Sequence, residues 1–129
     1  MYKFLSEEWI KAYMDEWNKN DDLKKDLADF SASIKYYIEG SSEGVHLIID
    51  KGIAKQAGKA NQSEYDFELW ASLKNWRKLA TGDMGPRAAM LTKRLKFKGS
   101  MITAMKYMTS FEGSLKMMSQ IPTVWDEES

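Results

Sequence analysis

The chain has 129 residues, 43% of them apolar and 29% charged, with nineteen basic residues balancing nineteen acidic ones and no cysteine. That length suits one domain, and the composition excludes intrinsic disorder, a disulfide framework and any site built on thiolates. No apolar run reaches the roughly 18 residues of a membrane span and the first residues lack a signal-peptide core, so a soluble, cytoplasmic protein is expected.

Ser6 is placed to cap a first helix whose opening turn carries Glu7 and Glu8, acids that suit the positive end of the helix dipole. Trp9, Ile10, Tyr13, Met14 and Trp17 then recur on one amphipathic face. The acidic stretch from Asn18 to Asp29 predicts a short second helix with Leu23 and Leu27 inward. From Phe30 the period changes to two: Phe30, Ala32, Ile34, Tyr36 and Ile38 alternate with polar neighbours up to Gly40, the pattern of a half-buried strand. Ser41 to Gly44 is turn chemistry. Val45 to Asp50 reads as a second strand, Lys51-Gly52 as a hairpin turn, and Ile53 to Ala60 as a weaker third strand.

After the Asn61-Gln62-Ser63 break, Tyr65, Phe67 and Leu69 predict a fourth strand running into a helix capped by Ser72, with Leu73, Trp76, Leu79 and Ala80 on its inner face. Gly82 stops that helix and Pro86 opens the next, in which Met84, Ala88 and Leu91 are assigned to one face. Arg94 to Lys98 alternates as a fifth strand with Leu95 and Phe97 inward. The remainder reads as helix to Pro122, interrupted at Phe111-Glu112-Gly113. Strands arranged as an antiparallel meander, with helices gathered at both ends, give an α+β fold in which helices cover one sheet face. The whole chain, 1–129, is expected to be one domain: a helical segment over 1–29, sheet and helices over 30–122, and an acidic tail over 123–129.

Few residues here could carry chemistry. The only histidine is His46, read as a half-exposed strand residue, and Asp50, four residues further along the strand, lies about 13 Å away and cannot orient its ring as a triad requires. One histidine without cysteine cannot assemble a zinc site, and the acids of residues 15 to 29 lack the spacing of a calcium loop. No phosphate-loop or dinucleotide fingerprint occurs around Gly82 to Pro86. An enzyme, a metal site and a cofactor are therefore not expected.

Charge is unevenly spread. From Ala71 to Lys98 there are eight basic residues against one acid, Asp83, which fits either a solvated face or a docking face for anionic lipid. Nucleic acid is not expected as a partner, because the pI is near 6.6 and no aromatic residues are interleaved for base stacking. Six of the nine methionines lie between residues 90 and 118, and Met101, Met105 and Met108 recur at helical spacing. Such a row is either ordinary core or an adaptable apolar surface for guests of varied shape.

Four runs make the C-terminal half recognisable: Phe67-Glu68-Leu69-Trp70-Ala71-Ser72, Leu79-Ala80-Thr81-Gly82-Asp83-Met84-Gly85-Pro86, Leu95-Lys96-Phe97-Lys98-Gly99-Ser100-Met101, and Ala104-Met105-Lys106. In this order and spacing the chain resembles the sterol carrier protein 2 (SCP-2 sterol transfer) family over about residues 30 to 120. The resemblance implies a twisted, mostly antiparallel five-stranded sheet covered by helices, with an apolar tunnel between them. It also implies non-catalytic binding of a sterol, fatty acid, acyl-CoA or phospholipid. By position, Phe97 would lie on the sheet floor, with Leu79, Met84, Met90 and Leu91 lining the middle. Met101, Met105 and Met108 would stand at the mouth, and Trp76 and Phe111 would complete the ligand-binding set. Some members carry an amide side chain near the position of Met108, where this chain has methionine. The alternative to a carrier is an accessory subunit that scaffolds a lipid-pathway enzyme through Trp70 and Trp125.

Overall fold

The computed structural model describes residues 1–125, so the acidic residues from Asp126 to Ser129 lie outside the described residues. A two-residue strand β1 (Tyr2–Lys3) leads into α1 (Glu7–Lys19), whose first turn is closed by the Ser6 hydroxyl accepting from the Trp9 N–H at 3.1 Å. Helix α2 (Asp21–Asp26) is capped in the same way by Asn20. Both helices form where the periodicity places them, and Trp9, Ile10, Tyr13, Trp17, Leu23 and Leu27 are buried as their spacing requires.

Five strands follow: β2 (Ala32–Ile38), β3 (Gly44–Asp50), β4 (Ile53–Lys59), β5 (Phe67–Ala71) and, further on, β6 (Lys96–Gly99). They lie in the order β4-β3-β2-β5-β6, antiparallel except at the centre, where β2 and β5 run parallel. The meander expected from the sequence therefore ends at β4. The segment 60–66 crosses back to set Phe67 beside Ile34, because β3 satisfies the backbone groups along only one edge of β2 and the other edge accepts β5. Lys51 (φ 50°) and Gly52 (φ 82°) make the two-residue hairpin turn with both residues in the left-handed region. Gly52 is required twice over, since a Cβ there would come within 2.6 Å of the Lys24 carbonyl oxygen.

On one face of the sheet Ala32, Ile34, Tyr36, Val45, Leu47, Ile49, Phe67 and Ala71 alternate inward and meet the helices. Helix α1 is pinned over the β3–β4 side. Its Trp17 indole N–H donates to the Gly52 carbonyl at 2.9 Å, and the Asn18 amide bonds both the N–H and the C=O of Ala54, each at 2.9 Å, beside a β-bulge. The C-terminal half supplies α3 (Leu73–Thr81), α4 (Pro86–Leu91), α5 (Met101–Lys106), α6 (Met108–Lys116) and a 3-10 turn (Met117–Gln120). A last strand, β7 (Thr123–Val124), pairs in parallel with β1 and ties the two ends together.

Three expectations for the C-terminal half are corrected. The helical break falls at Tyr107, between α5 and α6, and not at Phe111-Glu112-Gly113, which α6 runs straight through. Gly113 is tolerated there because it faces solvent while Ser114 and Leu115 are held against the core. In α4 the buried residues are Pro86 and Ala89, not Ala88 and Leu91. Thr123 and Val124, assigned to the tail, are in β7.

On the opposite sheet face the 60–66 crossover sets Tyr65 against His46, and this corrects the reading of His46. The ring is buried, with 2% exposure, and its Nδ1 lies 2.8 Å from the Tyr65 hydroxyl. That hydroxyl already accepts from the N–H groups of Asn61 (2.9 Å) and Gln62 (3.1 Å), so its own proton goes to Nδ1 and the imidazole is neutral with its proton on Nε2. Burial lowers the His46 pKa below its ordinary value. A proton is thus bound less readily folded than unfolded, so stability is fully present above pH ~6.5 and falls as pH drops from there toward the folded-state pKa. Denaturant midpoints compared across that window should fall on the acid side, and His46→Gln should remove most of that part of the slope.

Candidate functional site

A small apolar cavity lies between the sheet and the C-terminal helices. Its floor is Ile34 and Tyr36 of β2, Phe67 and Leu69 of β5 and Phe97 of β6; its roof is Met90 of α4 with Phe111, Ser114 and Leu115 of α6. Alternation in the strands places the floor residues: Ile34 pairs with Phe67, Tyr36 with Leu69 and Leu69 with Phe97, so all five side chains rise from one face. Phe67 is the hub of an aromatic cluster, with ring centroids 5.6 Å from Phe97, 5.7 Å from Phe111 and 6.0 Å from Phe30.

The polar atoms at this cavity are already engaged. The Tyr13 hydroxyl donates to the Ser114 carbonyl at 2.7 Å, Tyr13 and Tyr36 are hydrogen-bonded to each other, and the Ser114 hydroxyl donates to the Phe111 carbonyl at 2.8 Å. Burial raises the pKa of both tyrosines, so both stay neutral and neither supplies a base or nucleophile at ordinary pH. Among the described residues no buried side-chain nitrogen or oxygen lacks a partner, and no group of three or more His, Asp or Glu could hold a metal ion. The cavity can therefore exclude water and contact apolar surface, and little else.

As it stands, the cavity measures about 30 Å³. That is room for a water molecule or two, whereas a lipid-sized guest needs a site of roughly 300 Å³ or more. Among the described residues this space is therefore closed down from the open tunnel that the resemblance implies, with Met90, Phe97, Phe111 and Leu115 drawn together in its wall.

The residues assigned to the site from the sequence divide into three groups, with Met108 apart. Met90, Phe97 and Phe111 come together in the cavity wall. Trp76, Leu79 and Met84 are buried in the general core instead, Trp76 donating its indole N–H to the Tyr37 carbonyl at 2.9 Å. Leu91, Met101 and Met105 are not in the wall at all: they face solvent at 80%, 54% and 67% exposure, joined by Ile102 at 83%. Met108 is half-buried at the start of α6. Sequence reasoning missed Ile34, Tyr36, Phe67, Leu69, Ser114 and Leu115 as wall residues, although the strand alternation already put the first four on one face.

The surface aromatics also differ from expectation. Trp70 is half-buried on the outer sheet face, stacked on Tyr37 at 5.4 Å, and Trp125 is half-buried against Phe4 at 4.4 Å.

Sequence comparison now decides the family: the profile of the SCP-2 sterol transfer family matches residues 10–112, most of the chain. The chain belongs to the SCP-2 sterol transfer family. Comparison with curated proteins finds no match. Among solved structures, the chain is similar to a crystal structure of sterol carrier protein 2, with a TM-score of 0.83 at 20% identity over 92% of this chain and 99% of that one. It is also similar to the solution structure of a conserved hypothetical protein from Thermus thermophilus, with a TM-score of 0.78 at 19% identity over 98% and 94% of the two chains. A more distant likeness is to the UbiJ-SCP2 ubiquinone synthesis protein, with a TM-score of 0.56 at 13% identity over 90% and 89%. At these identities the solved SCP-2 structures establish the α+β fold that this family member shares.

Proposed function

We infer that this SCP-2 family chain binds an apolar small molecule, of the sterol, fatty acid, acyl-CoA or phospholipid class, between the sheet and α4–α6, and hands it on chemically unchanged. The observation that carries this reading is the wall itself: Ile34, Phe67, Leu69, Met90, Phe97, Phe111 and Leu115 converge with no unsatisfied polar group among them. A guest gains about 0.8 kcal/mol for each CH₂ removed from water, so shape tolerance and low specificity follow. With His46 tied to Tyr65, and both Tyr36 in the wall and Tyr13 behind it neutral, nothing in the wall is poised for catalysis.

Uptake requires the roof to move, and α4 is the part built to do so. It is six residues long, follows Gly85 with no side-chain cap, and ends at the exposed Leu91. Its Arg87 is linked to Glu112 of α6 at 2.8 Å across a largely exposed pair, a tie worth no more than about 1 kcal/mol. Displacing α4 withdraws Met90 and opens the space above Leu69 and Phe97. Methionine suits that position because its unbranched side chain repacks against guests of different outline.

Delipidated protein titrated with a fluorescent fatty acid should bind it saturably at one site, and native mass spectrometry of detergent-free protein should find apolar adducts. Absence of both would remove this reading. An accessory-subunit role, which relied on Trp70 and Trp125 as free contacts, is the less supported alternative, since both rings are half-buried against Tyr37 and Phe4.

A further inference from the structure

Four large apolar side chains stand in solvent on the two segments that flank β6 in the chain: Leu91 at the end of α4, and Met101, Ile102 and Met105 on α5. On α5 their spacing of i, i+1 and i+4 confines them to one side of the helix, and Ala104, which lies outside that arc, is fully buried. This is the reverse of what an amphipathic helix in water should present. Ser100 caps α5 through the Thr103 N–H at 3.2 Å, so the helix is locally well formed and its outward apolar face is a property of the fold.

The charges around these side chains are of one sign. Between Pro86 and Phe111 the chain carries Arg87, Lys93, Arg94, Lys96, Lys98 and Lys106 and no acid. Arg87, Lys96 and Lys98 are paired with Glu112, Glu39 and Glu68. Lys93, Arg94 and Lys106 are exposed and have no carboxylate partner among the described residues. Leu91 is thus followed closely by two uncompensated cations, and Met105 is followed directly by a third.

We propose that the outward face of α5, with Leu91 and the adjoining Lys93, Arg94 and Lys106, docks on an anionic lipid bilayer. Exposed aliphatic and thioether side chains enter the headgroup–acyl boundary while the cations meet anionic headgroups, a division of labour that neither chemistry achieves alone at this small size. Between the two anchoring segments lies β6, whose Phe97 is in the cavity wall, and the helix bearing Leu91 also bears Met90 of the roof. Docking there would hold the movable roof against the bilayer. In that respect the inference rests on the proposed ligand cavity, but its surface chemistry stands independently.

The test is co-sedimentation of the full chain with phosphatidylcholine vesicles, with and without phosphatidylglycerol, beside the double variant Ile102→Ser/Met105→Ser and the charge variant Lys93→Gln/Lys106→Gln. All four residues are exposed, so both variants should keep the fold, which circular dichroism checks. Wild-type chain should bind the anionic vesicles and release at high salt, and each double variant should bind at least about tenfold more weakly. Fluorescent fatty-acid uptake without vesicles should be unchanged in both variants, which separates failure of this proposal from failure of the cavity reading. Equal binding to neutral vesicles, or undiminished binding by the Ile102→Ser/Met105→Ser variant, would overturn it. So would a wild-type dimer in solution that this variant abolishes, since the face would then belong to a second copy of the chain.

Discussion

Replacing Trp76 with alanine should lower the unfolding free energy by about 4 kcal/mol, a large share of the 5–15 kcal/mol that holds a typical domain together. The ring is fully buried in α3, lies 5.6 Å from Phe4 and 6.5 Å from Tyr36, and its indole N–H bonds the Tyr37 carbonyl at 2.9 Å. Truncation leaves a cavity that α1, α3 and the sheet cannot all close, and it strands the Tyr37 carbonyl. Trp76→Phe keeps most of the ring volume and loses chiefly the hydrogen bond, so it should cost only about 1–2 kcal/mol. Urea unfolding of the three proteins measures both. If Trp76→Phe leaves stability unchanged while abolishing fatty-acid binding, then Trp76 belongs to the ligand site and not to the core where the structure places it.

Met90→Asp should act on binding and spare the fold. Met90 is half-buried, so the folded chain can turn a carboxylate toward water, yet an apolar guest seated against the wall would bury that charge. The penalty is about 2–3 kcal/mol or more, roughly 30- to 150-fold in affinity. Met90→Leu should bind within a few-fold of wild type. Fluorescent fatty-acid titrations with both variants check this, and an unchanged affinity in Met90→Asp would move the guest away from the α4 roof.

These outcomes depend on parts of the structure that were unequally legible in the sequence. Helix α1 and strands β2 and β3 were readable because thirteen- and seven-residue elements give enough repeats to fix both period and phase. Helix α4, with six residues, does not: Ala88 with Leu91, and Ala89 with Met90, are both acceptable faces on periodicity, and only packing against α6 chooses the second. The parallel pairing of β5 with β2 was equally hidden, since a strand's alternation says which face is buried and nothing about its neighbour. Gly113 signalled a break that packing of Phe111, Ser114 and Leu115 overrides.

The methionine row illustrates the same limit from the side of function. Met101 and Met105 share a helical face with a spacing that suits a cavity wall, but α5 turns Ala104 inward and leaves that face in solvent. The residues that do form the wall stand on the strands, on α4 and on α6, and the set implied by the family resemblance includes three of them: Met90, Phe97 and Phe111.

The nine methionines are also natural reporters of where a guest sits. Methyl-labelled protein titrated with a long-chain fatty acid should give intermolecular contacts to the Met90 methyl, together with a large shift of its signal as the roof repacks. The methyls of Met101 and Met105 should stay where they are in the absence of membrane. Contacts confined to Met101 and Met105, with Met90 unmoved, would mean that the fatty acid only coats the outer face of α5 and that the space beneath α4 never opens.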